Sequence, residues 1–200
     1  AREIRKRRLE LGWSGQDILL NDYPFRLACP TPGAADNAAL AFLMLRIVFP
    51  RIPMARLADG FAKVRNPARF EVVSDGPRIV LSGDHNPAGL EDLMATLAEL
   101  KPGRVRVVCG FSPDKPYGAM LDRLRTVDDD LTLTVVPRAR GTYAADYARL
   151  GRFEESPEKA VESTLARCDS GDTLVVTGSL YLAGAVRRLW RPSVGFRPAS

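Results

Sequence analysis

The feature that most limits the fold of this chain is the regular alternation of strand-like and helix-like segments after Phe70. Short apolar runs at 78–81 and 172–177 are typical of buried strands, and the apolar spacing in 90–100 and 180–190 predicts helices. Strands and helices that alternate through short connections form a mostly parallel sheet covered by helices on both faces. We therefore predict an α/β fold with such a sheet.

The same patterns divide the chain near Arg65. After it we predict strands and helices over 70–73, 78–81, 90–100, 104–109, 116–125, 131–136, 143–150, from 156 onward, 172–177 and 180–190. Before it we predict helices over 2–11, 35–48 and 53–63, and strands over 18–20 and 23–28. The buried face of the 35–48 helix is predicted to be Leu40, Leu43, Met44 and Ile47. The predicted domains are 1–65 and 66–200.

Composition and charge exclude several classes of protein. No run of 18 apolar residues is present, which argues against a membrane span, and the Arg-rich start lacks the apolar region of a signal peptide. Three separated cysteines and a single histidine form no zinc motif, and we expect a reducing, cytoplasmic setting. The first residue is Ala1, so we expect processing or a longer parent chain. The basic residues at 2–8 lack interleaved aromatics, and we interpret them as a solvated helix face rather than a nucleic-acid surface.

Polar residues follow several predicted strands, where α/β sheets bind their ligands. The segment after the 78–81 strand predicts a turn that opens a helix, with Asn86 as N-cap and Pro87 as first helical residue. Unpaired N–H groups at such a helix start favour anions. The candidate residues along this edge are Ser82, Asp84, His85, Asn86, Asp114, Lys115, Arg138 and Ser179. Taken singly, His85 is better explained by a local hydrogen bond or cap than by catalysis, and Ser179 can be explained by a helix cap.

The motifs that cradle nucleotide phosphates are missing from these 200 residues. No lysine is followed by Ser or Thr, so there is no G-x-x-x-x-G-K-S/T loop, and G-x-G-x-x-G is also absent. If the chain handles ATP, it supplies only part of the site.

Several collinear motifs nevertheless resemble one family. Residues 82–89, Ser-Gly-Asp-His-Asn-Pro-Ala-Gly, resemble the D-G-A-H-N-P-x-G turn of folylpolyglutamate synthase/dihydrofolate synthase, in the Mur ligase superfamily. Residues 66–71 resemble its W-P-G-R-x-E segment, and 177–187 its T-G-S-L-Y-L…V-R ending. Weaker similarities are Gly33 with Asn37-Ala38, Asp114-Lys115 before Met120-Leu121, and Pro137-Arg138-Ala139.

The resemblance implies a fold and a chemistry. Residues 66–200 would form the Rossmann-like C-terminal domain, and 1–65 the last part of a central ATPase domain. The family joins glutamate to a folate-type carboxylate through an acyl phosphate made from ATP. By the family pattern Asn37, Arg69 and His85 would contact the nucleotide and Ser179 would lie near glutamate. The P-loop and Mg²⁺ ligands would belong to a missing N-terminal domain, so the fragment alone is expected to be inactive.

Two positions depart from the family motifs and leave alternatives open. Ser82 stands where the family has the Asp expected to hold the ribose hydroxyls, and Asp84, two positions later, is a possible substitute. Ala68 replaces the Gly of P-G-R. The alternatives are a degenerate, non-catalytic domain that binds a nucleotide or partner, and another amino-acid ligase such as cyanophycin synthetase.

Overall fold

The structure is a computed structural model that describes residues 4–112, 117–137 and 148–190. Its first part contains a three-stranded antiparallel sheet and two helices. The elements are β1 (Lys6–Gly12), β2 (Gly15–Leu20), β3 (Tyr23–Leu27), α1 (Pro32–Val48) and α2 (Met54–Lys63). Both helices share one small core with the sheet, centred on Phe25, Phe42 and Leu57.

The second part is a six-stranded sheet with helices on both faces. Its elements are β4 (Glu71–Asp75), β5 (Arg78–Ser82), α3 (Pro87–Leu100), β6 (Val105–Cys109), α4 (Tyr117–Arg125), β7 (Thr132–Thr134), β8 (Arg152–Glu154), α5 (Pro157–Leu165), β9 (Thr173–Thr177) and α6 (Leu180–Arg187). The strand order is β4-β5-β9-β6-β7-β8, and only the β4–β5 pair is antiparallel. The predicted fold class is therefore confirmed, while the predicted boundary after residue 65 remains a prediction.

The core shows why these strands look uniformly apolar in the sequence. Every residue of β6 and β9 is buried, because helices cover both faces of a parallel sheet. Val80 and Val175 pack against α3 and α4 on one face. Leu81 and Val176 pack against α5 and α6 on the other. Within the described ranges, no helix is long and apolar enough to cross a membrane.

The predicted helix over 2–11 is wrong. Residues 6–12 form the strand β1, which pairs antiparallel with β2 through the two-residue turn Trp13-Ser14. The charged side chains of this segment resemble a solvated helix face, but pairing with β2 decides the structure. Local propensity is commonly overridden in this way by tertiary contacts.

The predicted buried face of α1 is also wrong. Leu40, Met44 and Ile47 are each more than half exposed, and the side chains that enter the core are Ala35, Ala38 and Phe42. The sequence favours the face with Leu40, Met44 and Ile47 because these side chains are larger and more apolar than the two alanines that enter the core.

The remaining differences lie in the second part. The strand β8 was not predicted, β7 is shorter than the predicted 131–136 segment, and the last helix ends at Arg187 instead of residue 190. Most of the predicted 143–150 helix lies outside the described residues, and 148–150 are helical.

Candidate functional site

A cavity of about 1380 Å³ separates the first sheet and its helices from the edge of the six-stranded sheet. Four of the predicted site residues line it: Asn37, Arg69, Ser82 and Asp84. They come from α1, from the segment before β4 and from the end of β5, so the cavity joins elements that are distant in sequence.

Asn37 is brought to the cavity by the start of α1. Thr31 is the N-cap of this helix, and its hydroxyl accepts a hydrogen bond from the N–H of Ala34. The N–H of Gly33 donates to Asp92 Oδ2 on α3 at 2.8 Å, which ties α1 to the second part of the chain. A Cβ at Gly33 would overlap that carboxylate, so a larger residue at this position would displace the Asp92 side chain from its hydrogen bond.

Arg69 lies at the tip of a tight segment between α2 and β4. Its N–H donates to the carbonyl oxygen of Asn66 at 3.1 Å, and the N–H of Gly83 donates to the carbonyl oxygen of Ala68 at 2.8 Å. These two bonds hold the Arg69 segment against the turn that follows β5. The next side chain, Phe70, is buried and stacks on Trp13 with ring centroids 6.1 Å apart.

Ser82 and Asp84 form a buried hydrogen-bonded pair. The Ser82 hydroxyl donates to Asp84 Oδ2 at 2.6 Å and accepts from the N–H of Phe70 at 3.3 Å. Burial raises the pKa of the Asp84 carboxyl above its ordinary value, while the Ser82 hydrogen bond and the nearby Arg69 charge oppose that rise. The charge of Arg69 therefore acts on the Asp84 carboxyl within the same cavity.

His85 and Ser179 lie at the same edge of the sheet but do not line the cavity. Because β5 and β9 are parallel neighbours, the two turns that follow them are adjacent. Half-buried His85 donates from Nδ1 to the carbonyl oxygen of Gly83 at 3.1 Å, which fixes the orientation of the ring and leaves Nε2 as the nitrogen for a ligand. Ser179 is buried and caps α6 by accepting from the N–H of Tyr181 at 3.1 Å.

The predicted caps of α3 are confirmed. Asn86 is the N-cap, accepts from the N–H of Gly89 at 2.8 Å, and is followed by Pro87 as first helical residue. Asp114, Lys115 and Arg138 lie outside the described residues.

The cavity also contains side chains that were not predicted from the sequence, of which Asp92, Glu71 and Arg187 make specific contacts. Glu71 and Arg187 fall within the motifs that carried the family resemblance and could have been found there. Asp92 has no such signal, because it sits on the polar face of a predicted helix. No group of three or more His, Cys, Asp or Glu side chains placed to hold a metal ion occurs in the part of the chain that the structure describes.

Comparison with known proteins places these residues in a family context. Residues 68–180 match the model of the Mur ligase family's glutamate ligase domain. The chain is 38% identical over 190 residues to a folylpolyglutamate synthase from Lacticaseibacillus casei, covering 88% of this chain and 44% of the relative. It is 31% identical over 154 residues to the dihydrofolate synthase/folylpolyglutamate synthase of Escherichia coli, covering 75% of this chain and 36% of the relative.

Solved structures agree with the sequence comparison. Mycobacterium tuberculosis folylpolyglutamate synthase complexed with ADP and AMPPCP superposes with a TM-score of 0.82 at 26% identity, over 94% of this chain and 47% of that one. Escherichia coli FolC in complex with ADP gives a TM-score of 0.75 at 26% identity, over 94% of this chain and 46% of that one. The chain thus spans less than half the length of these relatives.

Proposed function

Since the chain belongs to the Mur ligase family and carries its glutamate ligase domain, we propose that it is the C-terminal part of an ATP-dependent ligase that joins glutamate to a folate-type carboxylate. The observation that carries the proposal is the cavity that gathers Asn37, Arg69 and Asp84 from three separate segments. The relatives solved with ADP support a nucleotide as its occupant.

The side chains of the cavity suit the parts of a nucleotide. The Arg69 guanidinium is a fixed fork of donors that matches phosphate oxygens, and the Asn37 amide both donates and accepts. Asp84 can accept hydrogen bonds from ribose hydroxyls, which is the role that the family gives to an Asp at position 82. In this proposal the three residues bind and orient the nucleotide.

Ser179 is proposed to face the second substrate, glutamate, and His85 is proposed to contact the nucleotide from the adjacent turn. Glutamate must be held with its amine directed at the activated carboxyl carbon, and positioning of this kind supplies much of the rate of acyl transfer. His85 keeps Nε2 for a ligand because Nδ1 is bound to the Gly83 carbonyl oxygen, and the Ser179 hydroxyl keeps its proton for donation while its oxygen caps α6. The chemistry supplied by Mg²⁺ with ATP is phosphoryl transfer to the carboxylate, and its ligands are expected in the part of the relatives that this chain does not cover.

The exposed apolar side chains on one face of α1 favour packing of this helix against a further part of the protein. Leu40, Met44, Ile47, Val48 and Phe49 are all more than half exposed and lie on one helix and its end. Contiguous apolar surface of this kind marks an interaction site. We propose that the N-terminal portion present in the longer relatives covers this surface and completes the ATP site.

Calorimetric titration of the full-length protein with ADP tests the proposal. Arg69→Ala and Asn37→Ala should each weaken binding, about tenfold for the charged Arg69. Arg188→Ala, an exposed arginine that does not line the cavity, is the matched control and should bind like wild type. Equal ADP affinity in all four proteins would refute the assignment of the cavity.

The second candidate is a degenerate domain without catalysis, which is favoured by Ser82 in place of the family's Asp. An ADP titration with no detectable binding to wild type would support it over the ligase. Glutamate ligation should require more than these 200 residues, since they contain no P-loop motif. Turnover by the 200-residue chain alone would contradict that expectation.

A further inference from the structure

The segment that carries Arg69 has an unusual backbone. The residues on both sides of Arg69 adopt left-handed conformations, with φ of 57° at Ala68 and 50° at Phe70. L-residues adopt this region only where surrounding contacts impose it. The direction in which Arg69 leaves the backbone therefore depends on the groups that hold its two neighbours.

Each neighbour is held by a side chain from elsewhere. The N–H of Phe70 donates to Ser82 Oγ at 3.3 Å, and the N–H of Ala68 donates to Glu71 Oε2 at 3.0 Å. Glu71 thus binds the start of the Arg69 segment from the first position of β4.

Glu71 is itself fixed by Arg187, 116 positions later at the end of α6. The Arg187 guanidinium donates from Nε to Oε2 at 2.9 Å and from Nη2 to Oε1 at 3.0 Å. A two-pronged pair of this type restricts both side chains in orientation as well as distance. The pair is largely shielded from solvent, with the Glu71 side chain 19% exposed, so it is weakened less by salt than a surface pair.

We propose that Glu71, held by Arg187, is a positioning residue that sets the direction of Arg69 toward the nucleotide. The inference rests on the proposed function, because Arg69 needs a direction only if it contacts a ligand. The chain of contacts runs from the last helix through Glu71 to Ala68 and then to Arg69. Arg187 at the end of α6 thereby influences the orientation of Arg69 in the nucleotide cavity, although Glu71 itself need not contact the ligand.

A double-mutant cycle on ADP affinity in the full-length protein separates positioning from stability and from direct contact. Glu71→Gln keeps the size and an acceptor oxygen but loses the charge that binds the guanidinium. We expect Arg69→Ala to weaken ADP at least tenfold and Glu71→Gln to weaken it three- to tenfold. In the Arg69→Ala background, Glu71→Gln should change affinity by less than about twofold, because the residue it positions is gone.

A matched control is Glu91→Gln, which breaks a similar two-pronged pair with Arg123 (2.9 and 3.2 Å) outside the cavity lining. It should leave ADP affinity unchanged in both backgrounds. If Glu71→Gln does not fold, Arg187→Lys, which retains the charge but not the fork, is used in the same cycle and should weaken ADP two- to fivefold.

The outcomes are distinguishable. Wild-type affinity in Glu71→Gln, or equal losses with and without Arg69, would overturn the positioning role while leaving the proposed function intact. No loss in Arg69→Ala itself would overturn both. A loss in Glu71→Gln that disappears in the Arg69→Ala background supports the inference.

Discussion

Gly178 lies where the ends of two central strands come closest, and its replacement by alanine should be severely destabilising. The residue follows β9, adopts φ of 97°, and precedes the buried cap Ser179. A Cβ at this position would lie 2.9 Å from Phe111 Cε1 and closer still to the carbonyl oxygen of Gly110. Real Cβ atoms essentially never approach other atoms within 3.0 Å, so the backbone would have to move.

The magnitude follows from two separate costs. A left-handed backbone costs an alanine about 1 kcal/mol. The overlap with Gly110 is with main chain, which cannot rotate away, and forced shifts in a packed core cost about 1–3 kcal/mol. The sum is about 3 kcal/mol, which for a chain of 200 residues lowers the melting temperature by roughly 6–12 °C.

Thermal unfolding followed by circular dichroism measures this difference, and the chain offers a matched control. Gly184 lies inside α6, is exposed, and has no atom within 4 Å of a built Cβ. Gly184→Ala should therefore raise stability by about 0.5–1 kcal/mol through helix propensity alone. If Gly178→Ala melted at or above the temperature of Gly184→Ala, the argument from close backbone approach would be refuted.

Three further predictions, which use four variants, are tested by the same unfolding measurement. Ala68→Gly should change stability by less than about 1 kcal/mol, because relief of the left-handed alanine is offset by loss of its buried methyl, and a loss above about 2 kcal/mol would contradict this. Phe42→Ala should cost about 3–5 kcal/mol, whereas Leu40→Ser should stay within about 0.5 kcal/mol; similar losses would refute the assigned face of α1. Burial raises the Asp84 pKa, so wild-type stability falls as pH rises through the raised value; Asp84→Asn should gain stability relative to wild type between pH 4 and pH 7, and a constant difference would exclude this.

The second part of the chain could be predicted because its sequence and its packing carry the same information. Strands buried on both faces, such as β6 and β9, are continuous apolar runs, and Asn86-Pro87 marks the start of α3 chemically. In the first part of the chain, the sequence pattern and the packing do not agree in this way. The charged strand β1 owes its conformation to pairing with β2, which no local pattern records.

Some members of the candidate site could be predicted from the sequence, but the contacts that join them could not. Asn37, Arg69, Ser82 and Asp84 line one cavity, because each lies in or beside an element that the fold brings to it, whereas His85 and Ser179 lie outside its lining. The contacts that hold them, such as Asp92 with Gly33, join residues 59 positions apart. Such pairings depend on how the two parts of the chain approach each other, and the spacing of polar residues along one helix does not encode that.

The exchange at positions 82 and 84 gains a physical explanation from these contacts. Ser82 both accepts from Phe70 and donates to Asp84, so it holds the Arg69 segment and the buried carboxyl at once. An ionised Asp at 82 could accept from Phe70 but could not donate to Asp84, and two carboxylates at hydrogen-bond distance would force one of them to keep a proton. A neutral donor at position 82 avoids this conflict when position 84 is acidic. The departure from the family motif keeps the Arg69 segment in place and leaves one acidic side chain in the pair formed by positions 82 and 84, so Ser82 taken alone is weak support for a degenerate domain.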